Sequence, residues 1–364
     1  MKLSELIDHL EKVAPRPLQE SYDNSGLQVG MPNQEVTKGL ICLDATPAVV
    51  EEAIEQGCDL IITHHPLIFG GLKKITGSNS TEKVVMKAIK HSIAIYSIHT
   101  NLDNVLRGVN GILGEKLGLS NLKILKPSKG LLRKLVTFCP ISEADAVREA
   151  IFEAGAGHIG QYDCCSFNLE GKGSFRGGED SNPFAGNKGE IHFEPEARIE
   201  TILPSYLVPK VVSAMIEAHP YEEVAYDVYM LDNQFTEVGS GMVGTLKIPL
   251  SECDFLELLK TKLHLPCLRH TKLNGSTIKR VAICGGAGSF LLSDAIAARA
   301  DAFVTADLKY HQFYDAEGKI LLVDAGHYET EQFANELLYD IVSKKFSTFA
   351  LSISKVQTNP VNYF

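Results

Sequence analysis

An apolar run that ends in two adjacent histidines, Asp59-Leu-Ile-Ile-Thr-His-His-Pro66, is the feature that most limits how this chain can fold. Leu60, Ile61, Ile62 and Thr63 are apolar or β-favouring without alternation. That pattern predicts a strand covered on both faces, as in a parallel sheet packed between helices. Ligands in open α/β sheets gather outside the carboxyl ends of the strands. His64 and His65 stand at such an end. Neighbouring side chains of an extended strand point opposite ways. The two imidazoles can therefore share a crevice only at the strand's last turn, a geometry that suits two metal ions better than one.

The pattern recurs. Ser97-Ile-His-Thr-Asn-Leu-Asp103 follows the apolar run from Ile93 to Ile98, and Leu321-Leu-Val-Asp-Ala-Gly-His327 again delivers a histidine. His327 and Glu331 are spaced i and i+4, so on a helix they share one face a turn apart. Histidine and carboxylate without cysteine suit zinc, manganese, iron or cobalt. Three apolar strands ending in His or Asp predict a divalent metal centre.

The 364 residues suggest two or three domains. With 35 basic and 45 acidic residues, the net charge of −10 argues against binding to nucleic acid or to an anionic membrane surface. None of the eight cysteines forms a Cys-x-x-Cys, and buried thiols of a reducing compartment are expected. Residues 2–12 read as an amphipathic helix and not as a signal peptide. No apolar run approaches the length of a membrane span, so a cytoplasmic location is expected.

Along the chain, strands at 38–43, 60–63 and 93–98 alternate with helices at 47–56, 81–91 and 107–117, which predicts an α/β fold with a largely parallel sheet. The character changes near Pro127-Ser-Lys-Gly130. Strands at 134–139, 162–168, 198–203 and 223–230 and helices at 142–154 and 207–218 follow, with Gly171 to Gly189 read as a loop. Pro140 and Pro204, Ala150 and Ala214, Glu153-Ala154 and Glu217-Ala218, and Tyr162-Asp163 and Tyr226-Asp227 match at an offset of 64. Two such strand–helix–strand units predict a ferredoxin-like domain. The first character resumes at Val238, with strands at 279–284, 303–305 and 319–325 and a helix from His327 to about Ser343. The expected architecture is a discontinuous outer α/β domain of two halves, 1–128 and 238–364, interrupted by an inserted α+β domain at 131–236.

Tyr22-Asp-Asn-Ser-Gly-Leu-Gln-Val-Gly30, Ile62-Thr-His-His-Pro66, Ser97 to Asp103, Gly285-Gly-Ala-Gly-Ser-Phe290, Ala306-Asp-Leu-Lys-Tyr-His311 and Gly326-His-Tyr-Glu-Thr-Glu331 together resemble the GTP cyclohydrolase 1 type 2 homologue family, the NGG-one-interacting-factor-three-like dinuclear metal-centre proteins. The middle region looks like the PII/CutA-like insert of the longer bacterial members. The resemblance implies two divalent metal ions per chain, zinc first and manganese or iron as alternatives. Its ligands would be His64, His65, Asp103, His327 and Glu331, with Glu331 bridging. It also implies a toroidal homohexamer and a small-molecule substrate such as GTP or another nucleotide. Two residues depart from the family pattern: Tyr22 stands where tryptophan is usual, and Ala306 where glycine is.

Two ions bridged by a carboxylate can activate water and clamp a substrate oxygen, so hydrolysis is the expected reaction class. Candidate catalytic groups are His99, which could orient a ligand or move protons, and Glu329, which could act as acid or base. Gly285-Gly-Ala-Gly-Ser289 lies where amides can cradle a phosphate, although a tight turn is the commoner meaning. Lys309 could supply a cation, and His311 could contact substrate. The alternative is a non-catalytic metal-holding scaffold or regulatory assembly with a sensory insert.

Overall fold

Every side chain of the strand Leu60–Thr63 is buried, because helices cover both faces of the sheet it belongs to. The strand lies between Lys38–Cys42 and Ala94–Ser97, parallel to both, with Ile61 opposite Leu40 on one side and Ile95 on the other. The helix Pro47–Glu55 leads into it, its first turn closed by the Thr46 hydroxyl accepting from the Val49 amide at 3.3 Å. Its Val49, Val50 and Ala53 join Val84, Val85 and Ala88 of the helix Ser80–Lys90 in a core with Leu40, Ile61 and Ile95.

The computed structural model describes residues 1–364, a mixed α/β protein. The chain divides into two compact units, Met1–Pro127 with Thr236–Phe364, and Ser128–Phe235. The first unit holds two sheets. One runs in the order Gly26–Val29, Ala94–Ser97, Leu60–Thr63, Lys38–Cys42, Ala350–Ile353. The other runs Arg269–His270, Leu321–Asp324, Ala302–Thr305, Thr277–Ile283, Phe235–Ser251, Leu119–Ser128. The last strand of the chain thus sits in the sheet built by its beginning, with Leu351 opposite Gly39. That pairing draws the C-terminal segment to the carboxyl end of Leu60–Thr63. No helix is long and apolar enough to cross a membrane.

In the second unit the antiparallel sheet has the order Ser166–Phe175, His192–Pro204, Leu132–Pro140, Tyr226–Met230. The helices Ala144–Glu153 and Val208–Ala218 pack on it through Val147, Ile151, Val211 and Met215.

Several elements differ from expectation. Residues 171–175 are not loop: the strand Ser166–Phe175 pairs along its length with His192–Thr201 despite its glycines. In the repeat, Pro140 and Pro204 both end strands, but Tyr226-Asp227 opens a strand while Tyr162-Asp163 precedes one. The glycine-rich stretch at which the first character resumes is a long strand, Phe235–Ser251. Gly239, at φ +152, lies so close to the Lys126 carbonyl that a Cβ there would stand 2.1 Å from its oxygen. The helix expected from His327 to Ser343 is two, His327–Glu331 and Ala334–Lys345.

Ile61 is fully buried in the strand that delivers the histidines. Ile61→Ala is expected to cost about 2–5 kcal/mol of stability, read from a chemical denaturation midpoint, because the packed sheet cannot collapse around the missing atoms.

Candidate metal centre

His64 and His65 leave the strand in a turn closed by the Thr63 hydroxyl, which donates to the His65 carbonyl at 2.8 Å and meets the Ser97 hydroxyl at 2.7 Å. Their amides still pair with Cys42 and Leu43 of the neighbouring strand, at 3.3 and 3.0 Å. The rings lie 5.1 Å apart and tilted by 44°. His99 follows the adjacent strand, and its ring centroid is 5.2 Å from that of His64 and 5.3 Å from that of His65. His327 opens the short helix His327–Glu331, its ring 5.3 Å from His65.

Each of these four imidazoles is fixed through Nδ1. His64 donates to the Ile98 carbonyl at 2.9 Å, His65 to Asp44 at 2.7 Å, His99 to Asp23 at 2.8 Å and His327 to Asp307 at 2.7 Å. A carbonyl or carboxylate partner can only accept, so a proton sits on Nδ1 and each ring, when neutral, offers its Nε2 lone pair to the cluster. Such support sets tautomer and ring orientation and is the usual company of metal-ligating histidine.

The Nε2 atoms converge on two carboxylates. Glu331 Oε2 lies 2.9 Å from His65 Nε2 and 3.0 Å from His327 Nε2, and the two nitrogens are 3.4 Å apart. Asp103 Oδ1 is 3.5 Å from His64 Nε2. Three sets of donor atoms could hold a metal ion: His64 with Asp103 and Glu331, His65 with His327 and Glu331, and His64 with His65 and His99. His64 Nε2 and Asp103 Oδ1 are buried without any hydrogen-bond partner, a costly state for polar atoms that a cation between them relieves. Gly286 gives Glu331 its place: at φ +59 it has no side chain, and a Cβ would stand 2.2 Å from Oε1. The residues present fit divalent ions.

The protonation pattern agrees. Burial holds His64 neutral, down at about 3. His65 and His327 go the other way, to about 10 and about 9: burial opposes their charge, but Glu331 with Asp44, or with Asp307, outweighs it. Burial and the neighbouring Glu331 push Asp103 well above the carboxylate range, while His327 and His65 hold Glu331 well below it. Protons on two imidazoles occupy the electrostatic role that cations would take. Cys284 lines the same cavity, but burial keeps its thiol protonated.

Two cavities open onto the cluster, sharing Asp44, His65 and His327. One, of about 380 Å³, is lined by Tyr22, Phe69, His99, Asp103, Phe290 and Glu331 among others. The other, of about 710 Å³, is lined by Arg269, Asp307, Glu329 and the C-terminal Asn359 to Tyr363. Of the residues singled out in the sequence, His64, His65, His99, Asp103, His327 and Glu331 come together. Glu329 does not join them. Its carboxylate accepts from Asn359 at 3.0 Å and from Tyr363 at 3.1 Å, and so holds the C-terminal segment. Lys309 and His311 line neither cavity. In the glycine turn the Gly285, Gly286 and Gly288 amides donate to Asn110, Thr330 and Thr305, so none of these three is free for a phosphate.

Sequence reasoning missed Asp23, Asp44 and Asp307. Asp44 follows an apolar strand as His64 does, the signal that could have exposed it. Asp23 lies inside the Tyr22–Gly30 motif, where it also receives the Thr100 amide at 3.0 Å.

The model of the family Duf34/NIF3 (NGG1p interacting factor 3) matches residues 1–360. A protein of Halalkalibacterium halodurans named GTP cyclohydrolase 1 type 2 homolog is 38% identical over 365 residues, spanning 98% of each chain. The crystal structure of a Bacillus cereus protein related to NIF3 aligns at a TM-score of 0.87 and 39% identity, covering 100% of this chain and 99% of that one. A Staphylococcus aureus crystal structure aligns at 0.79 and 31% identity, covering 100% and 99%. These agree with the motif resemblance.

Asp44→Asn and Asp307→Asn are each expected to weaken metal affinity about 10–100-fold while leaving the fold intact, measured by chelator competition alongside circular dichroism. In metal-free protein, the raised values of His65 and His327 mean that the stability they contribute is complete below pH 6.5 and is lost as pH rises through about 9 to 10. The thermal midpoint of metal-free protein should therefore fall across that range, and His65→Gln should flatten the fall.

Proposed function

The chain belongs to the Duf34/NIF3 family, and we propose that it is a two-metal hydrolase acting on a nucleotide-like small molecule. The observation that carries this reading is the convergence of His64, His65, Asp103, His327 and Glu331 on one point, with two of their atoms buried and unpartnered. In this reading His64, Asp103 and Glu331 would hold one divalent ion and His65, His327 and Glu331 the other, with Glu331 common to both. Zinc suits this donor set best, with manganese or iron as alternatives. When bound, such ions supply a water acidic enough to ionise near neutral pH and a Lewis acid for a substrate oxygen.

The chain's own residues do the rest. Asp44 and Asp307 keep His65 and His327 in the tautomer that offers Nε2. His99 Nε2 faces the cluster, and Asp23 on Nδ1 supports the imidazolium formed when His99 takes a proton from water or substrate. Glu329 is a positioning group that ties the C-terminal segment beside the site. The relatives' printed name, GTP cyclohydrolase 1 type 2 homolog, directs the first substrate tests to purines.

The same reading treats residues 131–236 as a ferredoxin-like insert of the PII/CutA type between the halves 1–128 and 238–364. The strand order of the Ser128–Phe235 unit, with its two helices between strands, supports it. A toroidal hexamer in the cytoplasm completes the picture, and sedimentation velocity tests the assembly. A scaffold with a sensory insert is the second reading, supported by a separate cavity of about 480 Å³ within that unit.

Elemental analysis of natively purified protein should find two metal equivalents per chain, with ring opening or phosphate release in a purine nucleotide and nucleoside screen. His65→Ala should lose both metal and turnover. Two equivalents with no turnover across the panel would favour the scaffold.

A further inference from the structure

The cavity of about 380 Å³ over the cluster is lined by no lysine and no arginine. Its carboxylates are Glu20, Asp44, Asp103 and Glu331, and Asp23 and Asp307 stand directly behind the imidazoles. Two divalent ions bring four positive charges against these six carboxylates, so the filled centre has no net positive charge to offer a polyanion.

The cations nearby are committed elsewhere. Lys126 stands 5.9 Å over the Phe290 ring and pairs with Asp294 at 3.5 Å, outside the cavity lining. Arg269 lines the second cavity, but its guanidinium is paired with Asp324 and donates to the Leu308 carbonyl at 3.0 Å. The turn at Gly285 to Gly288 commits its three glycine amides to Asn110, Thr330 and Thr305. Phosphate sites are normally built around guanidinium or ammonium groups as well as backbone amides, and this cavity is lined by no guanidinium and no ammonium group.

What it does have is aromatic surface. Tyr22, Phe69 and Phe290 come from three separate segments and all line the cavity, yet they are 69%, 56% and 55% exposed. Phe69 stands edge-on to His99, with ring centroids 5.8 Å apart. Large apolar rings gathered around one mouth mark a surface made to be covered. Aromatic side chains accept any base through its π-face.

We propose that the cavity takes an uncharged planar heterocycle, a nucleobase or nucleoside bearing a ring amide, in preference to the polyphosphate form of a nucleotide. This rests on the two-metal reading and narrows it. The heterocycle lies among Tyr22, Phe69 and Phe290 and turns its polar edge to the metal centre, while a triphosphate tail would run into Glu20 and the aspartates.

The test is isothermal titration of zinc-loaded wild type, at buffered free zinc, with guanosine, GTP and inorganic triphosphate, with absorbance of the same samples followed for ring opening. Guanosine is expected to bind at least about tenfold more tightly than GTP, and triphosphate alone not to bind. Phe69→Ala and Phe290→Ala should each weaken guanosine about tenfold or more while metal content stays at the wild-type level. GTP binding as tightly as guanosine, no guanosine binding, or unchanged binding in both variants would overturn the proposal. Guanosine binding without turnover would leave it standing and count against the hydrolase reading. GTP ring opening with tight GTP binding would do the reverse.

Discussion

The Glu331 carboxylate, held between His65 and His327, is the interaction on which the site depends. It joins residues 266 positions apart and belongs to the second half of the outer unit while one partner belongs to the first. Its cost is burial of a charge, which the protein offsets with two imidazoliums and would offset more fully with cations. Much of the neighbouring structure serves that one group. Gly286 leaves it room, Thr330 pins the adjacent turn to its helix, and the final strand brings the C-terminal half against the first sheet. Removing Glu331 would take from His65 and His327 the carboxylate that favours their charged form.

The site was more legible than the chain that builds it. His64, His65, His99, His327 and Glu331 were readable because each follows an apolar run or shares a helical face, patterns that backbone geometry imposes. Asp44 and Asp307 were not. Their role is to hold a histidine further along the chain; Asp44 does follow an apolar strand, but no comparable local pattern marks Asp307. Glu329 illustrates the opposite error of attraction. Standing between His327 and Glu331 in a helix, it turns to another face and meets Asn359 and Tyr363, because helical neighbours two apart do not share a side.

The fold shows the same division. Strands buried on both faces, such as Leu60–Thr63, announced themselves as continuous apolar runs. In the second unit the strands Leu132–Pro140, His192–Pro204 and Tyr226–Met230 were also readable, but the extent of Ser166–Phe175 was not. Along Ser166–Phe175 the side chains are mostly exposed and two glycines interrupt, so pairing with His192–Pro204 through backbone hydrogen bonds, and not side-chain pattern, makes it a strand. Phe235–Ser251 buries much of its length, and its glycines at 239 and 241 stand where another backbone comes close.

The unit that carries the cluster is written in two separated stretches of the chain, Met1–Pro127 and Thr236–Phe364. During synthesis, His64, His65, His99 and Asp103 leave the ribosome long before Glu331 exists. The whole of Ser128–Phe235 emerges in between and has a core of its own to fold around. Until translation is nearly finished the first four residues have no closing carboxylate, and the strand Ala350–Ile353 that draws the C-terminal half into place comes later still. A nascent chain therefore cannot assemble the complete cluster before Glu331 has been made, and one stopped short of Glu331 never will.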